Sequence, residues 1–365
     1  MIKKMFIFMI IINLFMVIFL NTFFSDVIEI NDKMRNYITK GKFDIREIND
    51  DGIPISYNPR FKKPFISPFY VVHYGLIYSE TISNVKDLKN RYPYIWFEDN
   101  SVKFWNDPPE KFNEKFFKNC ADYIVKNIKL YKGNYHLLYD FDWPYENMRY
   151  KIIKAPWWSG LTDGYAILLL LRAYTVYKNE MYLESAKRLY LSVLSPIENG
   201  GSLTNFNGYP WIEEYVNWRF PEENPKVFNG MVYAYYGIRA YENFNNIKPG
   251  MADKLLISIF YNARYYDLNY WSYYDAVKTV SNVKYHKINY GLLKDLYEAY
   301  SGTAYIKNKE DIKIILERWK KGAYIPILWL YYAEWSISKI HLLIEIIFFE
   351  SFFIFIIRKF YLRNK

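Results

Sequence analysis

The stretch APWWSGLTDGYAILLLLRAYTVY, residues 155–177, decides the fold. Its apolar residues recur every three or four positions, which is the spacing of one face of an α-helix. They are Ala166, Leu169, Leu170, Ala173, Tyr174 and Tyr177. Thr162 and Asp163 are the N-cap candidates, because their side-chain oxygens can accept a hydrogen bond from the first turn. The stretch predicts a helix from about residue 162.

Further helices follow along the chain. The apolar face of the next one consists of Tyr182, Ala186, Leu189, Tyr190 and Val193, and Asn199-Gly-Gly201 marks its end. Periodicity also predicts helices at 228–243, 250–266, 287–300 and 308–321, an extended segment at 201–211 and a β-hairpin at 269–280. Consecutive helices joined by short loops predict a mainly α fold.

Residues 27–150 read as a mixed, partly irregular region with several prolines. Short strands are predicted at 53–57 and 94–97, and a helix at 65–78. Another helix should begin at Asp107, with Pro108 at the first helical position and Glu110 two residues later, and run to about Leu130.

The N-terminal residues 1–26 contain an apolar segment. Residues 5–24 carry no charge and follow Lys3 and Lys4, and about twenty such residues span a bilayer. No small-residue cleavage site follows, so an uncleaved anchor is favoured over a signal peptide, with a cytoplasmic N-terminus.

Residues 323–365 form a hydrophobic C-terminal segment. A second span is predicted at 340–357, although it contains Glu345 and Glu350, and a basic tail follows it. The stretch YIPILWLYY, residues 324–332, suits a membrane interface. The alternative is a terminal helix buried against the domain. With two spans, both termini are cytoplasmic and the middle of the chain lies outside the cell membrane.

Composition restricts the class of protein. Aromatic residues make up 21% of the chain, including 39 Tyr, which argues against disorder. The tyrosines either line a saccharide cleft or reflect a general compositional habit. The net charge of +10 suits a polyanion or an anionic lipid surface, but the basic residues are scattered and no nucleic-acid-binding module is present. Cys120, the only cysteine, excludes an internal disulfide and should be a buried thiol.

Three sequence blocks carry a family resemblance. They are residues 155–174, residues 200–230 with Trp211-Ile-Glu-Glu-Tyr215 and Phe228-Asn-Gly230, and residues 271–319 with Trp271-Ser-Tyr-Tyr-Asp275, Lys284-Tyr-His286 and Trp319. In this order they resemble the catalytic C-terminal domain of the D-glucuronyl C5-epimerase family. The resemblance implies a domain at 151–322. Together with the helix pairs, it implies an α/α toroid, an incomplete α/α barrel, with short β-hairpins. The apolar segments at the two ends predict flanking membrane helices.

The family inverts C5 of uronic acid residues within a polymer. Removal of the C5 proton requires a base on one face of the ring, an acid on the other and groups that stabilise the enolate-like carboxylate. The resemblance implies that Glu214 is a base, Tyr285 the acid on the opposite face, and Tyr274 a proton relay or carboxylate donor. Residues predicted to contact the substrate are Trp158, Trp211, Glu213, Tyr215, Asn229, Tyr273, Lys278 and His286.

Several assignments have alternatives. Glu213 and Glu214 could be a solvated acidic pair, and Tyr273 could take the place of Tyr274. Asn229 could cap a helix, and His286 could be a buried histidine satisfied by hydrogen bonds. His73, His136 and His341 show no partner pattern.

The chain also departs from the family's pattern. The arginine that follows the first tyrosine motif is replaced by Ala276-Val277-Lys278, and Lys278 is the candidate substitute. The β-rich N-terminal part of the animal enzymes is not evident, so heparan specificity is not carried over.

Three functions remain in competition. The first is a membrane-anchored uronate epimerase acting on a surface polysaccharide. The second is a lyase or hydrolase, the latter recruiting a carboxyl pair from Glu213, Glu214 and Asp163. The third is a non-catalytic glycan-binding or assembly protein. An acidic glycan and the lipid bilayer are the expected partners, nucleic acid is not, and a homodimer is left open. No cofactor is predicted and no metal-ligand constellation is visible, with a divalent cation left open.

Overall fold

The computed structural model describes residues 37–38, 46–57, 64–79, 113–145, 151–333 and 344. Helices dominate and the strands are short, which confirms the predicted mainly α fold. The longer described helices are α1 (Pro68–Tyr78), α2 (Glu114–Asn127), α3 (Gly160–Tyr177), α4 (Glu180–Val193), α5 (Phe228–Phe244), α6 (Met251–Asn262), α7 (Val283–Tyr300) and α8 (Lys309–Tyr324).

The strands pair into small antiparallel sheets. In chain order they are β1 (Arg46–Ile48), β2 (Pro54–Ser56), β3 (Ile128–Tyr131), β4 (Asn134–Tyr139), β5 (Trp143–Pro144), β6 (Ile152–Ile153), β7 (Trp157–Trp158), β8 (Leu203–Phe206), β9 (Tyr209–Ile212), β10 (Asp267–Leu268) and β11 (Trp271–Ser272). The largest described sheet has the order β3-β4-β7, and the others are two-stranded.

Helix α3 lies at the centre of the described molecule. Every residue from Gly160 to Ala173 is buried, as expected of a helix that is apolar nearly all round. It packs most extensively on α5, and also on α4 and α1. Helix α4 instead has one buried face and one exposed face, as is typical of a surface helix. The residues of the buried face include Tyr182, Ala186, Leu189 and Val193.

The cap of α3 differs from the prediction. Ser159 is the N-cap, and its Oγ accepts a hydrogen bond from the Thr162 amide at 3.2 Å. Thr162 and Asp163 were the wrong candidates, because both are buried inside the first turn. Lys178, in a left-handed conformation, ends α3, and Asn179 caps α4 immediately afterwards.

Helix α2 is shorter than predicted at both ends. Asn113 is in an extended conformation and its side chain caps the helix, so no continuous helix runs from Asp107. The chain turns into β3 after Asn127, where the prediction continued the helix to Leu130. Cys120 is buried, as predicted.

The hairpin predicted at 269–280 consists of two successive turns. Strands β10 and β11 pair across Asn269 and Tyr270, and a second loop is closed by a bridge between Tyr273 and Val280. Helix α7 begins at Val283, earlier than predicted, so Tyr285 lies in its first turn.

One hydrophobic core contains buried side chains of α1 and α2 together with those of α3–α8. None of the helices in the described ranges is long and apolar enough to cross a membrane. The predicted spans at 5–24 and 340–357 lie outside those ranges except for residue 344, as does the strand predicted at 94–97.

Candidate active site

A cavity of about 200 Å³ opens beside the N-terminal end of α5. Its walls come from parts of the chain that are far apart in sequence, including β1, α1, β7 and the first turn of α7. Pockets for drug-sized ligands occupy roughly 300–1,000 Å³, so this cavity suits a single small ring.

Aromatic side chains form one wall of the cavity. Trp157 stacks on Tyr139 with ring centroids 4.1 Å apart, and Trp143 lies parallel to Tyr215 at 6.1 Å. The Trp157 indole N–H donates to the Phe141 carbonyl at 2.8 Å and fixes that ring. Aromatic faces of this kind suit the C–H surface of a sugar.

Glu214 supplies the carboxyl group of the cavity. It follows β9, and only 8% of its surface is exposed. Oε1 accepts a hydrogen bond from the Tyr274 hydroxyl at 3.4 Å, while Oε2 has no hydrogen-bond partner among the described residues. Burial raises the pKa of Glu214 to about 8, against the opposing effect of hydrogen bonds from Tyr215 and Tyr274. A carboxyl group with a pKa near neutrality can accept and return a proton.

Gly230 makes room for this carboxyl group. A Cβ at position 230 would lie 2.6 Å from the Glu214 Cβ and would also overlap Oε2. The Asn-Gly pair at the start of α5 therefore allows Glu214 to pack directly on the helix backbone.

Glu213 faces the other way. Its carboxylate accepts a hydrogen bond from the Lys226 amide at 3.0 Å and lies 3.4 Å from the Lys226 ammonium group. Glu214 lines the described cavity wall and Glu213 does not. Because Glu213 is fully buried and Glu214 nearly so, the solvated acidic pair is wrong.

Tyr274 and Tyr285 approach Glu214 from two different elements. The Tyr274 hydroxyl lies 3.3 Å from that of Tyr215, and its ring centroid lies 4.7 Å from that of Tyr285. Asn282 caps α7 by accepting from the Tyr285 amide at 2.9 Å, which places Tyr285 on the cavity wall. Burial raises the pKa values of both phenols well above 10, so both are protonated near neutral pH.

A buried network supports Tyr274. Asp275 accepts hydrogen bonds from the Tyr145 hydroxyl and, at 2.6 Å, from the Thr279 hydroxyl. The Tyr274 carbonyl accepts from the Phe228 amide at 3.2 Å, which ties this loop to the start of α5. The network therefore holds Tyr274 in register with Glu214.

The structure separates Tyr274 from Tyr273. The Tyr273 carbonyl accepts from Asn289 at 3.2 Å, and its ring lies under the Lys278 ammonium group. Neither tyrosine lines the described cavity wall, so the two differ in their contact with Glu214 rather than in exposure to the cavity. Tyr274, not Tyr273, contacts Glu214.

Two of the predicted substrate-binding residues, Tyr215 and Asn229, line the cavity. The Asn229 side chain does not cap α5 and contacts Asn289 at 3.4 Å. The function of both residues stays a prediction.

Three other predicted contacts lie in the core instead. Trp158 stacks on His136 at 4.5 Å, and Trp211 packs parallel to Tyr266. Both ring nitrogens of His286 are engaged, with Ser272 Oγ at 3.0 Å and the Trp319 carbonyl at 3.1 Å. Burial lowers the pKa of His286 to about 3. None of these three side chains lines the described cavity wall, and their contact with substrate stays a prediction.

Lys278 also lies away from the described cavity wall. It has a positive φ of 71°, lies exposed in the loop after Asp275, and its ammonium group donates to the Tyr265 carbonyl. Its role as the substitute for the missing arginine stays a prediction.

His136 has the partner that sequence inspection did not reveal. Its Nδ1 lies 2.8 Å from Asp163 Oδ2, and Nε2 donates to the Gly200 carbonyl at 2.7 Å. The pair joins β4 to α3 in the core, so Asp163 is not available as a second carboxyl group in the cavity.

Several cavity residues were missed. Trp157 lies in the first of the three sequence blocks. Because successive side chains of a strand point to opposite faces, only one of Trp157 and Trp158 on β7 could be expected to face the cavity. Tyr139, Trp143, Tyr233 and Arg46 gave no local signal, because their place on the wall depends on tertiary packing. No group of three or more potential metal ligands occurs within the described ranges.

The fold and the site together define a mainly helical domain with an aromatic-walled cavity that contains a buried carboxyl group and a phenol. The model of the D-glucuronyl C5-epimerase C-terminus matches residues 110–321 of the chain, and the chain belongs to this family. The match begins upstream of residue 151, and the predicted domain boundaries stay predictions.

The chain is also 28% identical over 200 residues to an uncharacterized protein of Methanocaldococcus jannaschii. The aligned part covers 52% of this chain and 59% of that relative.

Proposed function

We propose that this protein is an epimerase that inverts C5 of uronic acid residues in an acidic polysaccharide. The observation that carries the proposal is that Glu214 and Tyr285 line one cavity while Tyr274 contacts both. Family membership supports the same reaction class.

The proposed reaction begins with ionised Glu214. Its carboxylate takes the C5 proton, and the electron pair of the broken C–H bond moves into the adjacent carboxylate to form an enediolate dianion. Tyr285 then donates its phenolic proton to C5 from the other face. A proton returns from Glu214 to Tyr285 through Tyr274, which restores the starting state. The reverse sequence converts the product back.

The proton transfer from Glu214 to Tyr274 would use a hydrogen bond that is weak in the protein without substrate. The Tyr274–Glu214 contact of 3.4 Å is long for a hydrogen bond, as is common in acid–base sites without substrate. With a pKa of about 8, roughly a tenth of Glu214 is ionised at pH 7. Activity should therefore rise with pH through this range.

The test is solvent exchange. The purified protein is incubated in deuterated water with a panel of uronate-containing polymers, and C5 deuterium and chain length are measured by NMR and mass spectrometry. Deuterium at C5 without chain shortening supports the proposal. Glu214→Gln and Tyr285→Phe should each lower exchange by about 100-fold or more.

The matched control is Glu298→Gln, which changes an exposed surface pair on α7 and should leave exchange unchanged. Unsaturated chain ends would instead identify a lyase, and new reducing ends without C5 deuterium a hydrolase. Full exchange by folded Glu214→Gln would reject the catalytic assignment.

We also propose that the helices form an incomplete α/α toroid and that the protein is membrane-anchored with this domain outside the cell. The apolar residues 5–24 and 340–357 support the anchoring, and a surface polysaccharide is then an accessible substrate. Release of the protein from membranes by alkaline carbonate would contradict the anchoring. Protection of the domain from protease added to intact cells would contradict its location outside the cell. Analytical ultracentrifugation tests the homodimer, and an experimental structure tests the toroid.

A further inference from the structure

The inference concerns Arg46, which lies upstream of the family-matched range. It is the first residue of β1 and pairs with Ser56 on β2, and Ser56 in turn bridges to Phe65. All three residues line the cavity. This short sheet therefore brings a cation to the rim of a site whose other parts come from the helical domain.

Arg46 is held in place by burial and by an aromatic ring. Only 7% of its surface is exposed, and its guanidinium carbon lies 3.6 Å from the centroid of the Tyr70 ring on α1. A guanidinium group can stack on a ring, and its planar fork of N–H donors matches the geometry of a carboxylate.

The charges around the cavity are few. Among the described residues that line it, Arg46 and Glu214 are the only ones with ionisable acid or base groups other than tyrosines. Arg46 also acts electrostatically on Tyr285: burial raises the pKa of that phenol, and the positive charge of Arg46 opposes the rise. The guanidinium group is thus close enough to influence both the cavity and the proposed acid.

The proposed substrate requires such a cation. A uronate carries one negative charge before the reaction and gains a second when the C5 proton leaves, while the surroundings are aromatic and poorly hydrated. A preorganised positive charge stabilises this state more than it stabilises the substrate. Lys278, the candidate from sequence, is engaged elsewhere.

We propose that Arg46 is the residue that binds the carboxylate of the uronic acid, by a bidentate, charge-assisted contact. The inference rests on the proposed function for its substrate class. It assigns the position of the carboxylate in the cavity: beside Tyr70 and Ser56, with C5 between Glu214 and Tyr285.

The experiment compares two probes by ligand-observed NMR titration of the full chain. Methyl β-D-glucuronide carries the carboxylate, and methyl β-D-glucoside is its neutral match. The wild type should bind the glucuronide roughly tenfold to a hundredfold more tightly. Arg46→Gln should reduce this preference to less than about twofold.

Arg188→Gln is the matched control, because Arg188 also lies over a tyrosine ring, that of Tyr135, but at an exposed position outside the described cavity wall. It should leave the preference unchanged. A folded Arg46→Gln protein that keeps the preference for the glucuronide overturns the inference. A wild-type protein that binds both probes equally well also overturns it. If Arg46→Gln does not fold, Arg46→Lys is measured instead. A lower preference for the glucuronide in Arg46→Lys supports the bidentate contact with the carboxylate, and an unchanged preference overturns the inference.

The same proteins separate this inference from the function on which it rests. Glu214-dependent C5 exchange together with a preference that survives Arg46→Gln rejects Arg46 and leaves the epimerase standing. A preference that depends on Arg46, with no C5 exchange on any polymer of the panel, rejects the epimerase and keeps the carboxylate site.

Discussion

Glu213 and Glu214 are adjacent acids with different environments. Glu213 has Lys226 as its partner in the core, whereas Glu214 faces a cavity and accepts a long hydrogen bond of 3.4 Å from Tyr274. The pKa of Glu214 is raised mainly because its charged form is poorly solvated there. The site therefore holds a group that is unfavourable for stability in its ionised form and useful for proton transfer.

Glu214→Gln should stabilise the fold increasingly as pH rises. In the unfolded chain the pKa is near 4.5 and in the folded protein about 8, so between these values only the folded state keeps the proton. Rising pH then favours the unfolded wild type by about 1.4 kcal/mol per pH unit, and the amide variant lacks this effect. Urea unfolding at pH 5, 6, 7 and 8 measures it. Wild-type and variant free energies that stay parallel across this range would contradict the assigned pKa.

Tyr274→Phe and Tyr273→Phe form a matched pair at neighbouring positions. Loss of the Tyr274 hydroxyl removes the contacts to Glu214 and Tyr215, so C5 exchange should fall by about 10- to 100-fold. Loss of the Tyr273 hydroxyl should change exchange by less than about twofold, since the contacts described for Tyr273 are made by its carbonyl and its ring with Asn289 and Lys278, not with Glu214. Equal effects on exchange in two folded variants would show that the geometry does not distinguish them.

At the scale of elements, small residues decide how closely α3 and α5 pack. A Cβ on Gly164 would lie 2.7 Å from the Ala234 Cα, and one on Gly237 would overlap the Gly164 carbonyl oxygen. The two backbones therefore approach more closely than larger residues allow. Because α5 carries Gly230 and Asn229, this contact also sets the position of the cavity wall relative to α3.

Gly237→Ala should push the two helices apart. The added methyl group meets backbone, which cannot rotate away, so the free energy of unfolding should fall by about 1–3 kcal/mol or more. Thermal and urea denaturation measure the change. Gly302→Ala is the control, since a Cβ there meets nothing within 4 Å, and it should be near neutral. A Gly237→Ala protein as stable as the wild type would mean that the helices cross less tightly.

Periodicity predicted most helices correctly, and their ends were the weaker part. The N-cap of α3 and the start of α2 were wrong because several capping residues occur close together, and local sequence does not choose among them. The start of α7 matters most for function, since it places Tyr285 in a capped first turn.

At the scale of the whole molecule, the family-matched range does not contain the complete site. Arg46, Ser56, Phe65 and Tyr70 line the cavity from residues that precede position 110. Helix α1 also belongs to the common core. The side chain of Arg172, which is buried in α3, donates a hydrogen bond of 2.8 Å to the hydroxyl of Ser79 at the C-terminal end of α1.

Residues 110–321 alone should therefore fold poorly. Removal of α1 exposes the surfaces against which Val71, Val72, Leu76 and Ile77 are fully buried. Each such side chain contributes roughly 1.5–3 kcal/mol, which together is comparable to the whole net stability of about 5–15 kcal/mol. Soluble yield and circular dichroism of residues 110–321, compared with residues 46–333, measure this. Equal cooperative melting of both would contradict the prediction.

The sequence by itself determined the helical class and, through three ordered motifs, led to Glu214, Tyr274 and Tyr285. Periodicity and motif spacing are local properties, and local interactions are enough to encode them. Only the tertiary structure decided which of two neighbours faces the cavity, as for Trp157 and Trp158 or Glu213 and Glu214, and that Arg46 joins them. The physical reason is that a side chain's surroundings come from elements distant in sequence, whose contacts no local pattern specifies.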